Sequence, residues 1–469
     1  MTNYFEKEYS IKAHDVTING DGVARLPALD GQSGKLVFCP NLLPGETARV
    51  RIVDERKSYA RASVIEYLEK SNERKVVDCK AFGRCGGCAL LHVSYEKQLE
   101  VKKTHIISCL SRIGKFAKSE IETLIQPVLG MENPYFYRNH VQYQVEESEK
   151  EFYLGFYEKQ TNELIDHEAC CLVPEICQKI RTSFSEFCMM NKIPGQNRKK
   201  KRNGIERLTV RMGFHTGDIM LVVESSDLPH FPAEKCAEFL QHCIEKSESL
   251  HAVAWTVRSI WRKSTHSHVE YSHLWGAQHI EECIGDKKYV VSPSSFFQIN
   301  TQQILVLYEQ IKTFVNDMGS SSVQKKNLID LYCGTGTIGL HVSDKVSQIL
   351  GVEVNEEAVA DALKNAKQND IQNCEYVVGR AENIDFHAFS ADVIIIDPPR
   401  KGCEKRLLDS VLKYMAESII YISCDPATLA RDLRILADGD YTLMAIQPVD
   451  MFPWTGHVET VVLMSRKQG

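Results

Sequence analysis

The pattern of apolar and polar positions changes twice along the chain. Up to about residue 70 it alternates in short stretches: Tyr9-Ser10-Ile11-Lys12-Ala13, Lys35-Leu36-Val37-Phe38, Ala48-Arg49-Val50-Arg51-Ile52-Val53 and Tyr59-Ala60-Arg61-Ala62-Ser63-Val64-Ile65. Alternation of period two predicts strands with one buried face. The turns carry Gly and Pro, at Asn19-Gly20-Asp21-Gly22 and Pro44-Gly45. Four or five such strands predict a small OB-like β-barrel over 1–70. Residues 71–290 mix periods and predict an α+β central domain, with a helix over 95–113 and strands at 141–145 and 219–223.

From Asn327 onward the apolar runs become continuous and alternate with helical stretches. Leu328-Ile329-Asp330-Leu331-Tyr332, Ile349–Val354, Val393–Asp397 and Ile419–Ser423 predict buried strands, Glu356–Asn369 a helix, and Val458–Met464 a closing strand. Continuously apolar strands are those covered on both faces. The fold class that follows is α/β, a doubly wound, largely parallel sheet over 291–469.

Composition narrows the classes. The chain has 469 residues, 43% of them hydrophobic and 25% charged, a globular balance. No apolar run approaches a membrane span, and the first residues lack an apolar signal core. A cytoplasmic protein without membrane association is expected. The net charge of −6 requires any nucleic-acid surface to be local. Arg198-Lys199-Lys200-Lys201-Arg202 is either a solvated loop or a phosphate contact. Without a secretion signal, the 16 cysteines are not a disulfide framework. Cys109, Cys188, Cys236, Cys243, Cys283 and Cys374 read as ordinary small core residues.

Asp330-Leu331-Tyr332-Cys333-Gly334-Thr335-Gly336-Thr337 stands where a strand turns into a helix. Glycines there let the backbone approach a ligand. Gly339 completes a dinucleotide-like spacing, so Gly-x-Gly alone does not choose the cofactor. Glu353 ends the next strand, placed to accept both hydroxyls of a ribose. Asp330 before the loop, where it could meet a methionine ammonium, and Asp397-Pro398-Pro399-Arg400 after a later strand favour S-adenosylmethionine over NAD.

Ser423-Cys424-Asp425-Pro426 follows a buried strand, with Asp425 suited to cap a helix and Pro426 to begin it. A thiol beside a helix N-terminus is expected to have a lowered pKa. A thiolate next to a methyl donor suits uracil. Addition to carbon 6 makes carbon 5 nucleophilic, and a base then removes the carbon-5 proton. In His457-Val458-Glu459-Thr460 the base is Glu459, with His457 the competitor. Methylation of an amine would need no such thiolate.

Cys79, Cys85 and Cys88 form a Cys-x5-Cys-x2-Cys pattern whose fourth ligand must come from Cys170 or Cys171. Four thiolates suit zinc or an iron–sulfur cluster, and the spacing leaves the two even.

The stretches Asp330–Gly336, Asp397–Gly402, Ser423–Asp432, His457–Thr460 and Phe296-Phe297-Gln298-Ile299-Asn300 together resemble the RNA uracil-C5 methyltransferase family, RumA/TrmA type, over essentially the whole chain. The resemblance implies a Rossmann-like S-adenosylmethionine methyltransferase domain. It implies Cys424 as nucleophile, Glu459 as base, and Gln298, Tyr332, Glu353 and Asp397 as cofactor contacts. Asp425 stands where the family usually has Asn. The RumA-like branch implies a 4Fe-4S cluster rather than zinc, on Cys79, Cys85, Cys88 and, in preference to Cys170, Cys171. The barrel is similar to a TRAM domain, through Pro44-Gly45-Glu46 and Lys57–Ala62. Barrel and cluster together resemble the 23S ribosomal RNA enzymes more than the transfer-RNA branch. The expected partner is therefore large-subunit ribosomal RNA, and the expected state a monomer. A target uridine would flip into the pocket, with Phe296 or Tyr332 stacking on it or filling its place.

Overall fold

The computed structural model describes residues 4–28, 34–148, 152–159, 161, 163–166, 169–198, 204–225, 238, 253–261, 268–317, 325–383 and 388–467. In the first sheet the strands lie in the order Glu8–Lys12, Thr47–Glu55, Tyr59–Glu69, Leu36–Pro40, Asp21–Arg25, Asp15–Val16. The alternation read from the sequence is realised here. Ala48, Val50 and Ile52 are buried with Ala60 and Ala62, while Arg49 and Arg51 face water. Just past the first strand, the His14 amide donates to the Val23 carbonyl at 2.9 Å, which curls the sheet back on itself.

A second sheet has the order His268–Trp275, Val253–Trp261, Ile219–Ser225, Ile205–Met212, His140–Glu147, Phe152–Tyr157, Leu164–Asp166. Val141, Tyr143, Val145, Leu208 and Val210 pack on Ile180 and Phe184 of the helix Glu175–Met190. Of the basic run, only Arg198 lies within the described residues, its guanidinium 4.8 Å from the Tyr157 ring centre. Cys109 and Cys188 are buried and Cys283 and Cys374 half-buried; Cys236 and Cys243 lie outside the described residues.

The third sheet has the order Cys374–Val378, Val346–Glu353, Lys326–Leu331, Val393–Ile396, Ser418–Ser423, Glu459–Arg466, Tyr441–Val449. Its first five strands are parallel, and Glu459–Arg466 runs antiparallel to both neighbours. Apolar residues cover both faces, as continuous runs such as Val393–Ile396 require. Ile106 and Leu110 of the helix Tyr95–Arg112 belong to one of these cores. The sheet is therefore covered partly by chain that precedes the second sheet. No helix of the described residues is long and apolar enough to cross a membrane.

Candidate active site

The carboxyl ends of the parallel strands carry the residues of interest. Cys424 is the first residue after Ser418–Ser423. Asp425 caps the helix Pro426–Asp438, accepting from the Ala427 and Thr428 amides at 2.9 Å each, with Pro426 in the first turn. The antiparallel register ends with Ser423 opposite Thr460, which brings Cys424, just past the strand, close to Glu459, whose charge it feels. Two residues distant in sequence become neighbours.

The thiol does not follow the expectation of a lowered pKa. Burial pushes Cys424 up to about 12, and the charges of Glu459 and Asp397 push the same way; Arg400 and a backbone hydrogen bond oppose them. The partial charge of one helix end is smaller than the cost of desolvating a thiolate beside two carboxylates. Glu459 is 3% exposed, and burial followed by the charge of Asp397 raises its pKa well above the usual carboxylate range. Burial raises Asp397 to about 7.

Tyr332 follows its strand with a left-handed φ of 62°, and its hydroxyl donates to Glu382 Oε1 at 2.9 Å. Gly334 and Gly336 also have positive φ, and a Cβ on Gly336 would meet the Tyr376 hydroxyl at 2.5 Å. Glu353 braces this loop. Its Oε2 accepts from the Gly334 amide at 3.2 Å, and its Oε1 from the Asn355 amide at 2.9 Å. Asp330 is fully buried, with Oδ2 accepting from the Gly339 amide at 3.1 Å. Gly339 thus permits close helix–strand packing, where a Cβ would approach Asp330 and Ile349 at 3.2 Å. Gln298 lies on the loop before the helix Thr301–Asp317; Asn139 Nδ2 donates to its backbone carbonyl at 2.8 Å. No contact among the described residues ties the Gln298 side chain to the carboxylates. Phe296 beside it is 69% exposed.

His457 is turned to Arg400, Nε2 to guanidinium 3.3 Å, and its pKa is lowered by burial and then by Arg400. Two contributors went unread in the sequence. Tyr308 looks like one more apolar position of a helix stripe. Its hydroxyl lies 2.6 Å from Thr337 Oγ1 and feels the charges of Asp397, Asp330 and Glu459. Arg400 stands inside a quoted motif, but its electrostatic role depends on a fold that brings it to Cys424.

A separate cavity of about 230 Å3 is lined by Cys79, Cys85, Cys88, Cys170 and Cys171, together with Arg138. Cys88 and Cys171 share a hydrogen bond. Among the described residues no three such side chains stand in a ready metal-holding arrangement. Arg138 Nε is buried without a hydrogen-bond partner, and no described carboxylate pairs with this guanidinium.

The family model described as tRNA (uracil-5-)-methyltransferase matches residues 94–467, and that of the TRAM domain matches residues 6–65. An uncharacterized RNA methyltransferase of Halalkalibacterium halodurans is 36% identical, covering 97% of this chain and 96% of that protein. One from Clostridium acetobutylicum is also 36% identical, over 98% and 97%. Among solved structures, the Pyrococcus abyssi tRNA (uracil-54, C5)-methyltransferase in complex with S-adenosyl-L-homocysteine is 25% identical. It has a TM-score of 0.72 and covers 97% of this chain and 100% of that one. On this sequence and fold, the chain belongs to the tRNA (uracil-5-)-methyltransferase family, as an S-adenosylmethionine-dependent RNA uracil-C5 methyltransferase with an N-terminal TRAM domain.

Proposed function

We propose that this enzyme methylates carbon 5 of a uridine in 23S ribosomal RNA through a covalent bond between Cys424 and carbon 6. The observation that carries the reading is the strand register ending at Ser423–Thr460, which supports Glu459 as the group beside Cys424. The Cys424 thiolate adds to carbon 6, and Arg400 is the positive charge beside it that favours the thiolate. S-adenosylmethionine, when bound, supplies the methyl group as an electrophile on a sulfonium. Gln298, Tyr332, Glu353 and Asp397 hold it, Glu353 from the end of the second strand of the pocket. Glu459 then takes the carbon-5 proton, and Cys424 leaves as carbon 5 and carbon 6 regain their double bond.

The RNA path is a groove of about 700 Å3 between the N-terminal sheet and the helix Tyr95–Arg112. Lys97, His105, Arg112 and Lys118 line it along with Asp15 and Glu100, and His105 feels the charge of Asp425 beside the nucleophile. A groove leading from an OB-like module, with Arg112 and Lys118 along it, suits a single-stranded segment.

The thiol cavity fits a metal centre by its donors. Soft sulfur ligands suit an iron–sulfur cluster or zinc, and a buried guanidinium with no described carboxylate partner suits thiolates carrying net negative charge. We assign a 4Fe-4S cluster to Cys79, Cys85, Cys88 and Cys171. Iron and sulfide analysis of anaerobically purified protein tests it. Cys88→Ser should lose the iron and Cys170→Ser keep it; zinc alone in the parent protein overturns the assignment.

Transfer RNA is the second reading, favoured by what the Pyrococcus abyssi structure is described as modifying. Nucleoside mass spectrometry with position mapping on a deletion strain separates the two. Loss of 5-methyluridine from large-subunit ribosomal RNA supports the first, loss only from transfer RNA the second, and an unchanged content neither.

A further inference from the structure

The loop 292–300 runs from the hairpin of Ile280–Ile284 and Lys287–Val291 to the helix Thr301–Asp317, and it carries Phe296 and Gln298. Side chains of the second sheet hold it at both ends. Arg211 Nη1 donates to the Ser292 carbonyl at 3.0 Å. Asn139, directly before the strand His140–Glu147, holds the other end. Its amide N–H donates to the Ile299 carbonyl at 2.9 Å, and its own carbonyl accepts from the Met212 amide at 2.8 Å. The backbone of Asn139 is thereby fixed to the sheet. Its side chain is buried, and Nδ2 donates to the Gln298 carbonyl at 2.8 Å and to Thr301 Oγ1 at 2.9 Å.

Chemistry fixes the direction of these bonds. A carbonyl accepts only, so the amide nitrogen of Asn139 faces Gln298. Thr301 accepts from Asn139 and donates in turn to Glu282 Oε2 at 2.9 Å. Glu282 is buried, and its carboxylate also accepts from the Phe214, His215 and Cys283 amides at 2.7, 3.1 and 2.8 Å. A buried carboxylate held by three backbone amides is a rigid anchor. From the other side, Asn300 Nδ2 donates to the Met451 carbonyl at 3.0 Å.

We propose that Asn139 is a positioning residue for the cofactor site. Anchored through Thr301 on Glu282, it sets the place of Gln298 and so how tightly S-adenosylmethionine is held. This rests on the reading of Gln298 as a cofactor contact. Cys424 and Glu459 are placed by the third sheet, and among the described residues no hydrogen bond links Asn139 to that sheet. Loss of the clasp therefore weakens cofactor binding and spares the chemical steps.

The test titrates S-adenosylhomocysteine into the full-length parent and variants by calorimetry. Turnover is measured against S-adenosylmethionine at saturating RNA. Asn139→Ala should raise Kd and KM about tenfold, with kcat within about threefold of the parent. Gln298→Ala should weaken binding by a similar factor. Adding Asn139→Ala to it should weaken binding by less than about twofold more, because the two residues act as one contact. Thr301→Val keeps the shape without the hydroxyl and should raise Kd about threefold, whereas Thr301→Ser keeps the hydroxyl and should match the parent. That pair supplies the test if Asn139→Ala does not fold. Parent-like affinity in Asn139→Ala overturns the inference, as does a weakening equally large with and without the Gln298 side chain. Equal affinities for Thr301→Val and Thr301→Ser overturn it too. If Gln298→Ala alone leaves binding unchanged, what fails is the cofactor-contact reading beneath it, so the two failures are distinct.

Discussion

Cys424 and the thiols around Arg138 are the same side chain in different company. Cys424 sits alone at a strand end, beside Asp397 and Glu459, with burial and both charges holding its proton on. The other five line one cavity with a guanidinium that no described carboxylate neutralises. A thiol held neutral until its partners arrive suits a nucleophile that must add and then leave. Burial raises Cys79 and Cys170 as well, Cys170 to about 11, so these clustered thiols would become permanent thiolates only under a metal centre. Residue type decides neither role; the surrounding charge does.

The two regions are joined by the segment Asp450–Gly456. Asp450 forms a fully buried ion pair with Lys102, 2.6 Å, and accepts from the Tyr95 hydroxyl at 2.8 Å. Trp454 donates from its ring nitrogen to the Pro134 carbonyl at 2.7 Å, and its own carbonyl accepts from Ala89 and Leu90. Cys88 and Cys171 pack on the same apolar cluster as Trp454. A Cβ on Gly456 would meet the Ile18 carbonyl at 2.3 Å, so the TRAM domain docks on this segment as well. Glu459 follows three residues later.

The comparison is broken most directly at Cys424. Cys424→Ala should lower methylation by about 10^4-fold or more while RNA affinity and iron content stay at parent levels; turnover within tenfold of the parent would return Cys424 to an ordinary buried thiol. Glu459→Gln should slow turnover by roughly 10^2 to 10^4 and leave an RNA–protein adduct on a denaturing gel, because elimination stalls. A slow variant with no adduct would place the defect before carbon–sulfur bond formation. Asp450→Asn should cost about 3–5 kcal/mol in denaturant unfolding, since it leaves Lys102 buried and uncompensated. If it cost nothing, the two regions would be independent.

A comparable effect on stability concerns pH. Burial raises Asp330 to about 7 in the folded protein against an ordinary 3.8. A raised carboxylate contributes stability below its unfolded pKa, and that contribution is lost as pH rises through the folded value. Without cofactor, the parent should therefore lose roughly 1.4 kcal/mol per pH unit from this group between about pH 4 and pH 7. Asp330→Asn should flatten that part of the stability profile. A variant whose profile keeps the parent slope would show that Asp330 is ionised throughout.

Much of this was readable in advance. The alternating stretches became the curled first sheet, and the continuous runs became the parallel strands covered on both faces. Asp425 capped its helix as expected. What local sequence misjudged was the Cys424 thiol. A strand end beside a helix start argues for a thiolate, but two carboxylates brought from residues 397 and 459 argue against it and prevail. Tyr308 read as core, and it is core, yet its hydroxyl faces the carboxylates.

The sequence by itself determined the element types, their order and the residues able to do chemistry, because periodicity and turn chemistry act over a few neighbours. Only the tertiary structure decided which of those residues share a dielectric environment. Electrostatics and burial act through space, and the strand register that brings Cys424 near Glu459 bridges 34 residues of intervening chain. The thiol cavity likewise closes only when Cys170 and Cys171 meet Cys79, Cys85 and Cys88 from a distant stretch of the chain. That Arg138 lacks a described carboxylate partner could be recognised only once its surroundings were known.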